Sequence, residues 1–353
     1  MIPRVRPTYG WAELAAALRP HPATTVQAFE RELAAYFGVR EAITFPYGRS
    51  AIYAALRALG REGGEVVQPA YNCVVVAHAT MVAGYRPLFV DAQAESPNQD
   101  EAQMVERVTS RTAAVIPTSI FGFPFDAAAL CRAIRRRNPD ALILMDCCQA
   151  FDARWQGERL TAHGDAALLA FGIGKPMTTL YGGALLTDQP ALAERVRRYR
   201  DAHYRRRGGG ASWRRRFYLL ASWLALSGPL VRLTDWLEHA DTPLRRYLLT
   251  LRAREAIRLP ADNQTLMLPL EAAIGRAQLR RAPALLHRRR EIAAEYARQL
   301  GNLPGLHLLP WPDGSTFAIY AARLPSPAAR AALLTELRRH GVQGDTVLSY
   351  VVP

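Results

Sequence analysis

Lys175 is the only lysine among the chain's 45 lysine and arginine residues. Arginine can solvate a surface, pair with a carboxylate or hold a phosphate, but it keeps its proton near neutral pH and does not add to a carbonyl. A single retained primary amine therefore reads as a nucleophile able to form a Schiff base; the alternative is one lysine left by chance in a tolerant loop. The surroundings favour the nucleophile. Ala141 to Met145 is a short apolar run of the kind a buried parallel strand makes, and Asp146 stands at its carboxyl end. In open α/β sheets ligands bind at that end. A buried carboxylate needs a cationic partner, and a protonated pyridine nitrogen is one that a cofactor supplies. Ala166 to Phe171 reads as the next strand. It feeds the glycine-bracketed turn Gly172-Ile173-Gly174-Lys175-Pro176, then Gly182-Gly183 and a further strand, Ala184 to Thr187. Strand–Asp, strand–Lys, Gly-Gly–strand is the layout of a pyridoxal phosphate enzyme.

The elements that must position these groups follow from periodicity. Val26, Phe29, Leu33, Ala34 and Phe37 recur at helical spacing behind a cap at Thr24 or Thr25. Ala42 to Phe45 is a short strand broken by Pro46-Tyr47-Gly48, and Ser50 opens a helix over Ala51 to Leu59. A glycine followed by a hydroxyl at a helix start is a ready anion site, although an ordinary N-cap looks the same. Helix Val74–Ala83, strand Pro87–Val90, helix Glu101–Val108, strand Ala113–Pro117 and helix Asp126–Arg136 continue the alternation. That pattern predicts a mostly parallel α/β sheet with helices on both faces. A long helix from about Leu268 to Leu300, with a break at Pro283, strand Phe317–Leu324 and helix Pro327–Arg339 fit a smaller α+β domain. The expected division is residues 1–200 as the large domain with an N-terminal arm, 201–259 as an insertion and 260–353 as the small domain.

Half of the 353 residues are hydrophobic, enough to bury a large core. Four cysteines make no disulfide framework, and the adjacent Cys147-Cys148 read as core thiols in a reducing cytosol. The start MIPRVRPTYG has no apolar signal region, which argues against export. A formal charge of +14 with scattered arginine runs suggests nucleic acid, but no helix-turn-helix, zinc or RNP signature accompanies them, so no specific nucleic-acid binding is expected. In the insertion, Tyr204 to Gly210 reads as a basic flexible loop, and Phe217 to Val231 is apolar, uncharged and too short to span a bilayer. Two readings stand for 201–259. One is an interfacial helical hairpin with Trp213, Trp223 and Trp236 at the lipid boundary, a peripheral contact at the inner face of the membrane. The other is a helical insertion that packs on a partner subunit or covers the substrate entrance.

The ordered set of motifs resembles the DegT/DnrJ/EryC1/StrS aminotransferases, fold type I pyridoxal phosphate enzymes that aminate nucleotide-linked keto-sugars. The matching pieces are Phe29-Glu30, Gly48-Arg49-Ser50-Ala51, Glu65-Val66-Val67-Gln68-Pro69, Asp91, Phe121-Gly122, Asp146-Cys147-Cys148-Gln149-Ala150, the Lys175 loop, Gly182-Gly183, and Glu271-Ala272-Ala273-Ile274-Gly275 with Gln278-Leu279. The resemblance implies that Lys175 binds the cofactor covalently and that Asp146 faces its pyridine nitrogen. It further implies that Gln149 lies by the phenolic oxygen and that Gly48, Arg49 and Ser50 hold the phosphate. Cys73 stands where relatives place a stacking aromatic, and Tyr71 is the nearby ring that could replace it. Tyr181 and Tyr350 fall on the substrate side. Ala170, Ser119 and Leu266 replace a serine, a histidine and an arginine usual in relatives, and Asn263 is one residue off an asparagine that relatives offer to the neighbouring subunit's phosphate. The implied activity is amino transfer, from glutamate, to a keto-sugar in polysaccharide or secondary-metabolite biosynthesis, by a cytoplasmic homodimer. The drifted shell keeps an alternative open: a degenerate paralogue that binds, regulates or docks at a membrane. A sugar dehydratase is disfavoured, because such relatives carry histidine in place of the lysine.

Overall fold

The computed structural model describes residues 1–61, 63–226, 230–239 and 257–346. An N-terminal arm leads into α1 (Trp11–Leu18) and α2 (Thr24–Phe37). The sheet then builds from β1 (Glu41–Phe45), α3 (Gly48–Arg57), β2 (Glu65–Pro69), α4 (Val74–Val82), β3 (Arg86–Val90), α5 (Glu101–Glu106), β4 (Thr112–Val115), α6 (Ala127–Arg137) and β5 (Leu142–Asp146). A short ribbon, β6 (Arg154–Trp155) and β7 (Glu158–Arg159), precedes β8 (Ala166–Ala170) and β9 (Gly183–Thr187). The seven-stranded sheet has the order β1-β9-β8-β5-β4-β2-β3. Only β9 runs against its neighbours, and the remaining pairs are parallel. The expected mostly parallel α/β sheet is therefore present.

Both faces are covered, which is why the central strands β5, β8 and β9 are near-continuous apolar runs rather than alternating. Ala42, Val67, Val115, Ile143 and Ala167 point to one layer with Phe29 and Leu33 of α2 and Ile134 of α6. Ile43, Val66, Leu144 and Leu168 point to the other, against Ile52 and Leu56 of α3 and Val196 of α7 (Pro190–His203). Buried Glu30 ties the first layer to the sheet: Thr44 N–H and Oγ each donate to its Oε1 at 2.8 Å, and Arg197 and Arg200 pair with it from α7.

After α7 come α8 (Ala211–Ala225), α9 (Leu230–His239), α10 (Pro269–Leu300), the ribbon β10 (His307–Leu308) with β11 (Ala322–Arg323), and α11 (Pro327–Arg339). Three elements differ from expectation. The helix expected from Ala51 starts at Gly48, with Tyr47 as its N-cap. The long helix runs unbroken through Pro283, because Leu279, Ala282 and Leu286 on either side are buried in the core and their packing outweighs one lost backbone hydrogen bond. The strand expected over Phe317–Leu324 shrinks to β11. Phe317 has φ 49°, and its ring and that of Tyr320 turn onto Trp311 while Ala318 N–H donates to Phe121 O.

Candidate active site

Asp146 closes β5, and the chain after β4 pins it: its N–H donates to Pro117 O at 2.8 Å and its carbonyl accepts from Ser119 N–H at 3.0 Å. The side chain is 3 % exposed, and Oδ1 accepts the Cys148 N–H at 2.9 Å. Burial pushes this carboxyl above the usual range, while the Cys148 donors and the Lys175 charge pull it down. Keeping it ionised calls for a further cation. Half-buried Lys175 sits in a loop that its own backbone shapes, with Lys175 N–H donating to Gly172 O at 3.0 Å. Thr178 anchors the far side of that loop: Oγ donates to Phe171 O at 3.1 Å and accepts from Leu180 N–H at 3.0 Å. Gln278 of α10 accepts from Thr178 N–H and also reaches Thr8 in the arm and Glu13 of α1. Gly275 is glycine because a Cβ there would lie 2.5 Å from the Phe29 ring and 2.8 Å from Thr179.

The amino end of α3 lies over the ends of β8 and β9. A Cβ on Gly48 would meet the Ala170 Cβ at 2.9 Å and Cys148 Sγ at 3.2 Å, and one on Gly183 would meet Gly48 N at 2.5 Å. Ser50 Oγ donates to Asn263 Oδ1 at 2.7 Å, and the buried Asn263 Nδ2 is left without an acceptor. The free first N–H groups of a ten-residue helix and an orphaned amide donor, oriented by the Ser50 hydroxyl, are the donor set of a phosphate cradle. Asn263 thus faces Ser50 of its own chain. Arg49 packs its guanidinium on the Tyr47 ring at 5.7 Å. Ala170, in the serine position, supplies the methyl against which Gly48 rests.

The remaining predicted residues fall around this centre. Gln149 Oε1 accepts Phe121 N–H at 3.0 Å, which leaves its Nε2 as the donating end, and Tyr71 meets the Phe121 ring edge-on at 6.2 Å. Cys73 caps α4, its N–H bonded to Asn72 Oδ1 at 2.6 Å. Ser119 Oγ is committed to Phe123 O at 2.8 Å. Tyr181 is held by Tyr47, Tyr218 and the Arg215 guanidinium, the last 3.9 Å from its ring centroid. Leu266, in the arginine position, packs on the core under α3 and α7. Tyr350 lies outside the described residues.

Sequence reasoning missed the charged network beside the cradle. Tyr47 OH donates to both oxygens of Asp262 at 2.8 and 2.9 Å, and burial together with that bond pushes it up to about 12. Arg207 reaches Asp262 at 3.2 Å and Glu271 at 3.4 Å, and Arg215 Nε donates to Glu271 Oε1 at 2.7 Å. Glu271 is fully buried and also accepts Leu268 N–H at 2.9 Å. The run read as a basic flexible loop therefore contributes a 7 % exposed Arg207. Its carboxylate partners arrive from more than fifty residues away, and no local pattern announces them.

The sequence profile of the DegT/DnrJ/EryC1/StrS aminotransferase family matches residues 19–237 and 245–352. The chain belongs to this family. The match runs through most of the 201–259 segment, which is thus not foreign to the family pattern. Among curated relatives, Saccharopolyspora erythraea erythromycin biosynthesis sensory transduction protein EryC1 is 35% identical over 245 residues, covering 67% of this chain and 65% of the relative. GDP-perosamine synthase of Escherichia coli O157:H7 is 26% identical over 283 residues, covering 80% and 65%. The chain thus spans just under two thirds of the length of these relatives. Among solved structures, the aminotransferase TlmJ from Streptoalloteichus hindustanus superposes with a TM-score of 0.76 at 25% identity, covering 99% of this chain and 85% of that one. The architecture is that of fold type I pyridoxal phosphate enzymes.

Proposed function

We propose that this family member is a pyridoxal phosphate-dependent aminotransferase that moves an amino group, from glutamate, to a nucleotide-linked keto-sugar in polysaccharide or secondary-metabolite biosynthesis. The observation that carries the reading is the single lysine of the chain, looped beside the buried Asp146 at the carboxyl edge of the sheet. The residues fit the cofactor: a carboxylate short of a cation, a helix start that two glycines allow to approach closely, and the orphaned Asn263 amide.

Lys175 Nζ would bind the cofactor's aldehyde carbon. Asp146 would hold the proton on the pyridine nitrogen. The α3 N–H groups and Asn263 would hold the phosphate, with Ser50 orienting the Asn263 amide toward it, and Gln149 Nε2 would donate to the phenolic oxygen. Bound there, the cofactor supplies an electron sink for negative charge at the substrate carbon. Lys175 Nζ, as a free amine, would be the base that takes the proton from the donor's Cα and delivers it to the carbon that had carried the cofactor's aldehyde. Tyr71, Cys73, Arg49 and Tyr181 would line the approach, and Tyr350 is assigned to the substrate side by resemblance alone. The relative GDP-perosamine synthase supports the substrate class. A cytoplasmic homodimer completes the reading; four free cysteines suit a reducing compartment, and the molar mass in solution tests the dimer.

The test is the visible absorption spectrum with pyridoxal phosphate, beside Lys175→Ala. A lysine-bound band that shifts on adding glutamate, and is missing in the variant, is the expected result. Spectra identical to free cofactor in both proteins would overturn the reading.

A further inference from the structure

We propose that the outer face of α8, continued onto α1 and α9, docks the protein onto an anionic lipid bilayer. Residues 213, 217, 220 and 224 recur at helical spacing as Trp213, Phe217, Leu220 and Leu224, and all four are exposed, Trp213 at 71% and Phe217 at 75%. The opposite face is the one the protein uses: Leu219 packs with Tyr9, Leu270 and Ile274, and Arg215 turns inward to Glu271. The helix is thus apolar on two sides and satisfied on one. Trp11, itself 79% exposed, meets Trp223 at 5.9 Å and extends the stripe onto α1, and Trp236 on α9 is 58% exposed. Isolated exposed apolar residues need no explanation; a stripe about 16 Å long at 1.5 Å per residue does.

Charge decides the occupant. Arg214 on α8 and Arg232 on α9 are exposed, α8 carries no acidic residue, and the chain is +14 overall. A second copy meeting this face through its own α8 would bring no carboxylate to pair with these arginines. An anionic headgroup layer complements them, while tryptophan and phenylalanine rings suit the headgroup–acyl boundary. Among the described residues no helix is long and apolar enough to cross a membrane, so the contact is one that lies on the surface.

The experiment is flotation of the full chain with vesicles of phosphatidylcholine alone and with a quarter phosphatidylglycerol, beside Trp213→Glu/Phe217→Glu and, separately, Arg214→Glu/Arg232→Glu. None of these residues is assigned a role toward cofactor or substrate, and light scattering records the molar mass of each protein. The expected result is binding to the anionic vesicles only, weakened by salt, and about tenfold weaker or worse in both variants at unchanged molar mass and melting temperature. Absence of wild-type flotation on anionic vesicles would overturn the proposal. So would a variant that lowers the molar mass, because a second copy would then occupy the face.

Discussion

Gly183→Ala puts a methyl at the tightest main-chain approach in the candidate site. Its Cβ would lie 2.5 Å from Gly48 N and 2.6 Å from both Gly48 Cα and Tyr47 C, atoms that cannot rotate away. Carbon contacts are comfortable at about 3.5 Å, so α3 and β9 must part by close to ~1 Å. Pairing of Gly183 with Phe45 on one side and Ala170 on the other resists that movement. Overpacking costs about 1–3 kcal/mol, and the rigid partners argue for the upper part, about 2–3 kcal/mol. With an unfolding entropy of about 2.1 cal/mol/K per residue, roughly 0.7 kcal/mol/K for the whole chain, the melting temperature should fall by about 3–4 °C. The same shift displaces the phosphate cradle, so pyridoxal phosphate affinity should drop by about tenfold, since a ~1 Å misplacement is felt strongly. Thermal unfolding by circular dichroism and a cofactor titration measure the two effects. Gly208→Ala is the control, since nothing lies within 4 Å of its added methyl. If Gly183→Ala melts within about 1 °C of the parent and binds the cofactor as well, the close approach and the role given to it are wrong.

Asn263→Ala should weaken pyridoxal phosphate binding by about 1.5–3 kcal/mol, the worth of a hydrogen bond to a charged group, yet leave binding of unphosphorylated pyridoxal unchanged. Equal losses for both ligands would refute the phosphate contact. Glu271→Ala strands Arg207 and Arg215 beside one partly exposed aspartate and should cost about 3–5 kcal/mol in denaturant unfolding; a loss below about 1 kcal/mol would show that water reaches these arginines. Burial pushes Glu101 up to about 7, with Asp126 and Asp100 adding to the effect. The fold favours its protonated form, so its contribution is full below pH 4.5 and lost as pH rises through about 7. Glu101→Gln should therefore melt like the parent at pH 4.5 and higher at pH 8, by no more than about 1 kcal/mol after screening of a partly exposed group; equal melting at pH 8 counts against the shift.

Lys175 and Asp146 were legible because their signals are local. One is a residue type used once, and the other an acid at the end of an apolar strand. The sheet was legible for the same reason, since the short apolar runs read as strands between Ala42 and Thr187 each became one. What escaped is contact between distant segments. Arg205-Arg206-Arg207 and Arg135-Arg136-Arg137 look alike in sequence, yet Arg136 and Arg137 are exposed while Arg207 is buried. The difference is made by Asp262 and Glu271, which the turn into α10 delivers beneath it. The α3 start escaped in part: a Ser50 cap was the local reading, but Ser50 spends its hydroxyl on Asn263 and Tyr47 takes the cap position, held there through Asp262. The Tyr47–Asp262–Arg207 contacts give α8 a second meaning. Its inner face, through Arg215 and Tyr218, grips Tyr181 one residue before Gly182-Gly183, and its outer face is the exposed aromatic stripe. One helix thus stands between the surface proposed to meet lipid and the diglycine on which the phosphate cradle rests.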